Sequence, residues 1–265
     1  MGTMLHIHHR GAAGAPPVVL LHGFMGRGAA WADWSARLAA THQVLMPDLP
    51  GHGASVGLED QAYTMPGAAA ALLEGLDAAA VARADVVGYS MGGRLALYLA
   101  VCHPARVRSL TLVSASPGLR TAKARAKRRR QDAARAEALQ ADFAGFVARW
   151  YGQPVFDGLS PQLRAARVAL RQDNDPAELA RSLQGMGTGA QPPLWERLDA
   201  LAVSTAALAG GRDAKYVAIA QAMAAARPAI TAHVCAGAGH VVQDEHAGAL
   251  HRVLALQLSL VPIRL

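Results

Sequence analysis

Apolar residues recur along this chain with two different periods. Val18-Val19-Leu20-Leu21 is a short, continuous, β-branched run closed by His22-Gly23, the pattern of a strand buried on both faces. Trp31, Trp34 and Leu38 then fall on one helical face, which predicts a helix over 31–40. Strands follow at 43–46, 84–87 and 107–113, alternating with helices at 65–76 and 92–102. Pro47-Asp48-Leu49-Pro50-Gly51 stops the second strand. Strands separated by helices call for a parallel sheet with helices on both faces, an α/β fold. The rhythm lapses at Pro117. From there to 198 the chain reads as helical and basic, broken by Pro and Gly. Strand spacing resumes at 203–209 and 229–235, and a closing helix is predicted at 245–258. The pattern is one sheet interrupted by one insertion, with a core of 1–116 and 199–265 and a helical lid of 117–198. No internal repeat and no low-complexity tail accompany it.

Composition narrows the picture. The 265 residues are 52% hydrophobic and 17% charged, which excludes a disordered chain and allows an ample core. Cys102 and Cys235 lie far apart and outside any Cys-x-x-Cys pattern, so neither a disulfide framework nor a zinc site is indicated. The first ten residues are polar and His-rich, with no apolar segment of the export kind. The longest apolar runs are strand-sized, far below a membrane span. These features predict a soluble, cytoplasmic protein with no membrane partner. The formal charge is +7, but only Lys123, Lys127 and Lys215 are lysines. Arg-rich, Ala-rich usage makes global charge a weak guide to partners. The charge is concentrated between Arg120 and Arg130, with seven basic residues and no acid. Most of that run reads as a solvated helix face. It lacks interleaved aromatics and any nucleic-acid motif, so no nucleic-acid partner is expected.

The chemistry is in the loops that follow strands. Gly88-Tyr89-Ser90-Met91-Gly92 matches Gly-x-Ser-x-Gly between a strand and a helix, the context of a nucleophile elbow. A serine hydroxyl needs a base, and the base needs an orienting carboxylate. Asp213 follows the strand at 203–209, and His240 follows the one at 229–235. Both therefore belong at the sheet edge that carries Ser90. His103 and His233 fit that place less well, and Ser114-Ala115-Ser116 offers no competing acid. His22-Gly23-Phe24-Met25-Gly26 follows the first strong strand. The backbone N–H groups of Phe24 and Met91 are the candidate oxyanion hole. His22 reads as a structural hydrogen-bonder rather than a catalyst.

These residues, with Gly51-His52-Gly53-Ala54-Ser55, resemble the α/β-hydrolase superfamily along the whole chain. A narrower resemblance is to the 2-succinyl-6-hydroxy-2,4-cyclohexadiene-1-carboxylate synthases of menaquinone biosynthesis. It rests on Gly88-Tyr89-Ser90-Met91-Gly92-Gly93-Arg94, Ser114-Ala115-Ser116-Pro117-Gly118-Leu119 and Arg149-Trp150-Tyr151-Gly152-Gln153-Pro154-Val155-Phe156. Thr188-Gly189-Ala190-Gln191-Pro192 and Gly211-Arg212-Asp213-Ala214-Lys215-Tyr216 fit as well. The resemblance implies a lyase that eliminates pyruvate from a polycarboxylate, with Ser90, Asp213 and His240 catalytic and no metal or organic cofactor. It implies that Arg94, Arg128 and Arg171 bind substrate, together with Tyr89 and Trp150. The register of the binding arginine within 125–130 stays open. The N-terminal strand region is short, so one strand of the usual eight is expected to be missing. Arg120 departs from the family, which often has an uncharged polar residue there. A monomer or weak homo-oligomer is expected.

The competing enzyme reading is a generic esterase, thioesterase or carbon–carbon bond hydrolase, which uses the same triad but needs no arginine cluster. The competing non-enzyme reading is a shell that has lost catalysis, against which the complete Ser–Asp–His order argues.

Overall fold

The computed structural model describes residues 4–258. Its strands are β1 (Ile7–Arg10), β2 (Pro17–Leu21), β3 (Gln43–Pro47), β4 (Ala84–Tyr89), β5 (Val107–Val113), β6 (Thr205–Gly210) and β7 (Ile230–Cys235). They form a seven-stranded sheet in the order β1-β3-β2-β4-β5-β6-β7. Every neighbouring pair is parallel except β1 with β3. The chain reverses its direction across the sheet between β2 and β4. A crevice opens at such a switch point, outside the carboxyl ends of the strands.

Helices α1 (Ala32–Leu38), α2 (Met65–Ala78) and α3 (Met91–Cys102) connect the first strands. Helices α4 (Ala122–Ala141), α5 (Phe143–Tyr151), α6 (Pro161–Arg171) and α7 (Pro176–Met186) lie between β5 and β6. Helix α8 (Ala214–Ala226) joins β6 to β7, and α9 (Val242–Glu245) and α10 (Ala247–Gln257) close the chain. Among the described residues no helix is long and apolar enough to cross a membrane.

The central strands are continuous apolar runs because both of their faces are covered. Val19 and Leu21 pack on one side with α2, α3 and α8, through Leu72, Leu97 and Met223. Val18 and Leu20 pack on the other side with α1 and α10, through Trp34, Leu38, Leu250 and Leu254. The inserted helices have an apolar core of their own, including Leu139, Phe146, Val147, Phe156 and Leu179, which reaches Met25 in the loop after β2. Local chemistry starts these helices. Thr121, Asp142, Ser160 and Asp175 each cap one with a side-chain oxygen, and α6 and α7 carry Pro in the first turn.

Three elements differ from the sequence pattern. Strand β1 is absent from the expected set because Ile7-His8-His9-Arg10 has no apolar alternation. It forms by antiparallel pairing, Ile7 opposite Pro47 through Arg10 opposite Val44. Its polar side chains suit a sheet edge, where charge discourages pairing with another chain. The helix expected at 31–40 is a 3₁₀ turn, Gly28–Trp31, followed by the shorter α1. The closing helix is divided at His246, whose extended φ of −146° breaks the α ladder between α9 and α10.

Candidate active site

Strand β4 ends at Tyr89, and the chain turns at once into α3. Ser90 makes that turn with φ 52° and ψ −107°, a strained conformation for a residue with a Cβ. Its N–H donates to Val113 O at 2.8 Å. The turn needs glycine beside it, because a Cβ on Gly92 would stand 2.5 Å from the carbonyl oxygens of Leu21 and His22. The hydroxyl is thereby lifted above the carboxyl end of the sheet.

His240 Nδ1 lies 2.7 Å from Asp213 Oδ2, and its Nε2 lies 3.2 Å from Ser90 Oγ. An ionised Asp213 accepts from Nδ1–H, which leaves Nε2 to accept from the serine hydroxyl. Asp213 and His240 are both buried. Two residues beyond the expected set hold this loop. Ser114 Oγ donates to His240 O at 2.8 Å. Glu245 accepts from Gly239 N at 2.6 Å and from Val241 N at 3.0 Å, gripping the backbone on either side of His240.

Met91 opens α3, so its N–H has no partner in the helix ladder. Phe24 faces it from the loop after β2, and that loop is held by two buried histidines. Met25 N donates to His52 Nε2 at 3.0 Å, and Leu49 N donates to His22 Nε2 at 2.9 Å. Each ring's Nδ1–H therefore donates to a carbonyl, Gly23 O at 2.8 Å for His22 and Pro50 O at 3.0 Å for His52. The expected structural role of His22 is matched by this geometry. Burial pushes the His22 pKa well below its ordinary value and that of His52 down to about 4. Both rings are neutral at pH 7, as acceptance through Nε2 requires.

A cavity of about 310 Å³ opens above the serine, within the range of small-molecule sites. Phe24, Tyr89, Ser90, Met91, Asp213 and His240 line it from the sheet side, and Arg94, Arg128, Trp150 and Arg171 line it as well. The structure thus brings every expected site residue to one cavity. Arg94 is buried and donates to Met186 O at 2.7 Å and Gln191 Oε1 at 3.2 Å. Burial pushes its pKa down to about 10. Arg171 is buried too, and its Nε donates to the Tyr151 hydroxyl at 3.0 Å. Both are cations held by neutral oxygens. Trp150 packs against Phe24, Phe146 and Phe156, so it belongs at once to the insertion's core and to the cavity wall.

Arg128 is the member of the basic run that lines the cavity. Arg125 caps backbone carbonyls at Leu119 and Arg120, Arg129 reaches Gly189 O, and Arg130 is exposed. Arg120 lies over the Trp195 ring at 3.8 Å, away from the cavity lining. Sequence reasoning gave no site role to Arg135, nor to Lys215, Tyr151 or Tyr216, which stand in the motifs quoted for the resemblance, and all four line the cavity as well. Helical spacing from Arg128 through Asp132 and Ala136 to Leu139 marks the inward face of α4 and would have found Arg135.

Away from the cavity, His6, His8 and Asp48 bring potential metal-ligand atoms within 4.8 Å of one another. Asp48 accepts from Gly28 N at 2.6 Å and Ala54 N at 2.9 Å. Those bonds commit its carboxylate to pinning loops. Cys102 and Cys235 are both free thiols.

Residues 16–247 match the family described as alpha/beta hydrolase fold. The chain is 38% identical over 251 residues to the 2-succinyl-6-hydroxy-2,4-cyclohexadiene-1-carboxylate synthase of Klebsiella pneumoniae (strain 342), covering 94% of this chain and 96% of that protein. The chain belongs to the α/β-hydrolase fold family, among the relatives of that synthase. A second relative, the synthase of the same name from Salmonella agona (strain SL483), is 36% identical over 97% of this chain and 100% of its own length. The solved structure of MenH from S. aureus superposes with a TM-score of 0.90 at 29% identity, covering 97% of this chain and 98% of that one. In the α/β-hydrolase fold the elbow is common to many activities, so reaction type rests on the cavity above it.

Proposed function

We propose that the protein is a lyase that eliminates pyruvate from 2-succinyl-5-enolpyruvyl-6-hydroxy-3-cyclohexene-1-carboxylate to give 2-succinyl-6-hydroxy-2,4-cyclohexadiene-1-carboxylate. The observation that carries this reading is a Ser–His–Asp chain beneath a cavity whose buried arginines, Arg94 and Arg171, have neutral partners. Such cations favour a ligand that brings its own carboxylates. The relatives' shared name supports the same reaction.

The chemistry follows from the substrate. Its most acidic C–H is at ring carbon 2, flanked by the succinyl ketone and the ring alkene. His240 takes the Ser90 proton, and the serine oxygen removes the carbon-bound proton as His240, held by Asp213, stabilises the charge. The freed pair forms the C2–C3 double bond. The existing alkene shifts to C4–C5, and the C5–O bond breaks. The leaving enolate takes a proton and becomes pyruvate. Negative charge on the succinyl ketone oxygen during this step is met by the N–H groups of Phe24 and Met91. Arg94, Arg128 and Arg171 hold the carboxylates, and Tyr89 and Trp150 shape the walls. Burial raises the Tyr89 pKa, keeping its phenol neutral.

In this reading residues 117–198 act as a lid on the core formed by 1–116 and 199–265, and the enzyme works in the cytoplasm as a monomer or weak oligomer. The test is pyruvate release from the purified chain, coupled to lactate dehydrogenase, with EDTA present and absent. Release at equal rates in both is expected. Fast hydrolysis of simple esters with no pyruvate would replace the lyase by a hydrolase.

A further inference from the structure

Charge is unevenly compensated around the cavity. At the end formed by α4 and the start of α8, Arg128, Arg135 and Lys215 all line it, with Thr188 among them. One buried carboxylate serves two of these cations: Asp132 Oδ1 accepts from Arg128 Nε at 2.7 Å and from Arg135 Nη1 at 3.3 Å. Its other oxygen faces Gly189 N at 3.3 Å. Lys215 has no such partner. Among the described residues no carboxylate is within ion-pair distance of its ammonium, which instead stands 5.2 Å from the Tyr216 ring centroid.

Two features favour the Lys215 charge, the Tyr216 ring and the charge of Asp213, and the rest of its surroundings oppose it. It lies in the first turn of α8, at the positive end of the helix dipole. Partial burial strips water from it and lowers its pKa, and Arg128 and, more weakly, Arg135 repel it. Asp213, two residues away, is committed to His240 and to Tyr216 N. The Lys215 ammonium is therefore less favoured in the empty cavity than in water, and an anion there would favour it.

We propose that Lys215, with Arg128 and Arg135, forms a carboxylate subsite that binds one acid group of the substrate, Lys215 supplying the cation that no protein carboxylate neutralises. The proposal rests on the polycarboxylate reading above and adds to the arginines a lysine on the catalytic side of the cavity. Lys215 is a binding residue here and takes no part in the proton transfer, so its contribution is equal in ground and transition states and falls on KM.

The experiment compares the wild-type chain with Lys215→Met, Lys215→Arg and, as control, the exposed Lys123→Met. Thermal unfolding is followed with and without succinate, a simple dicarboxylate probe, and pyruvate release is measured in parallel. Lys215→Met is expected to raise KM about tenfold or more, the scale of one charge-assisted hydrogen bond, with kcat changed less than about threefold. Its midpoint without ligand should equal or exceed the wild-type value, and its shift with succinate should be smaller. Lys215→Arg should recover part of both, and Lys123→Met should match the wild type. An unchanged KM in Lys215→Met, or a fall in its ligand-free midpoint, would overturn the subsite. A wild-type chain that releases no pyruvate would reject the lyase reading, while the succinate shifts would still decide the subsite.

Discussion

The sheet edge and the helical insertion meet at one cavity but are built on opposite terms. At the edge each reactive group is already partnered. Ser90, His240 and Asp213 form one hydrogen-bonded chain, Ser114 and Glu245 hold the His240 backbone, and His22 and His52 pin the loop of Phe24. Facing the insertion, the cations are left short of counter-charge. Arg171 has a phenol, Arg94 has two neutral oxygens from the insertion, and Arg128 shares Asp132. On the proposed function, the difference follows from the tasks. Proton transfer requires groups fixed before substrate arrives. Recognition of a polyanion requires charges still available when it does.

The sharpest way to break this division is at the serine. Ser90→Ala should lose on the order of 10³-fold or more in kcat with an unchanged circular dichroism spectrum, because the positioned oxygen is gone while the backbone turn remains. A variant retaining most of its turnover would move the chemistry away from the sheet edge.

Next in size is the acid limb of stability. The pKa of His52 is lowered from 6.5 to about 4 in the folded chain, so the unfolded chain binds more protons below pH 6.5. Stability is therefore full above pH 6.5 and falls as pH drops toward 4. This ring alone accounts for about 3 kcal/mol, and His22 shifts in the same direction. Denaturant unfolding from pH 7 to 4 measures it. In His52→Gln, whose amide oxygen can still accept from Met25 N–H, the slope in that window should flatten. An equal slope in both proteins would place the acid sensitivity elsewhere.

Arg171→Ala and Arg128→Ala should each cost about 1.5–3 kcal/mol in kcat/KM for the polycarboxylate, the range for hydrogen bonds to charged groups. The smallest effect is expected at Arg130, exposed two positions beyond Arg128, where replacement by alanine should stay within about 0.5 kcal/mol. Loss at Arg130 with none at Arg128 would shift the inward face of α4 by two residues.

The same two regions differ in how far they could be read from the chain. Strands β2 to β7 each carry a short apolar segment, and Ser90, Asp213 and His240 each follow one, so strand order and loop position together put them at one edge. Strand β1 was hidden because its stability comes from pairing with β3 rather than from apolar side chains. The groups that hold the site, Ser114, Glu245 and His52, act through loop contacts that leave no periodicity. In the insertion the elements are helices with ordinary caps, but which arginine faces inward depends on packing. Arg128 is reached through resemblance, while Lys215 and Arg135 carry no site role in the sequence, because a basic residue on a helix reads as solvated until its neighbours are known.

The division of labour itself is tested most directly by one crossed measurement, kcat/KM for the pyruvate-releasing polycarboxylate and for p-nitrophenyl acetate in wild type, Ser90→Ala and Arg171→Ala. The wild type should strongly prefer the polycarboxylate, because an uncharged ester engages none of the arginines and brings little remote binding energy to the transition state. Ser90→Ala should abolish the polycarboxylate reaction and whatever ester turnover the wild type has. Arg171→Ala should depress the polycarboxylate reaction alone, by about 10- to 150-fold, and leave the ester rate within about twofold. Equal losses on both substrates in Arg171→Ala would contradict the account, since the insertion would then be supporting the chemistry and not the recognition of charge.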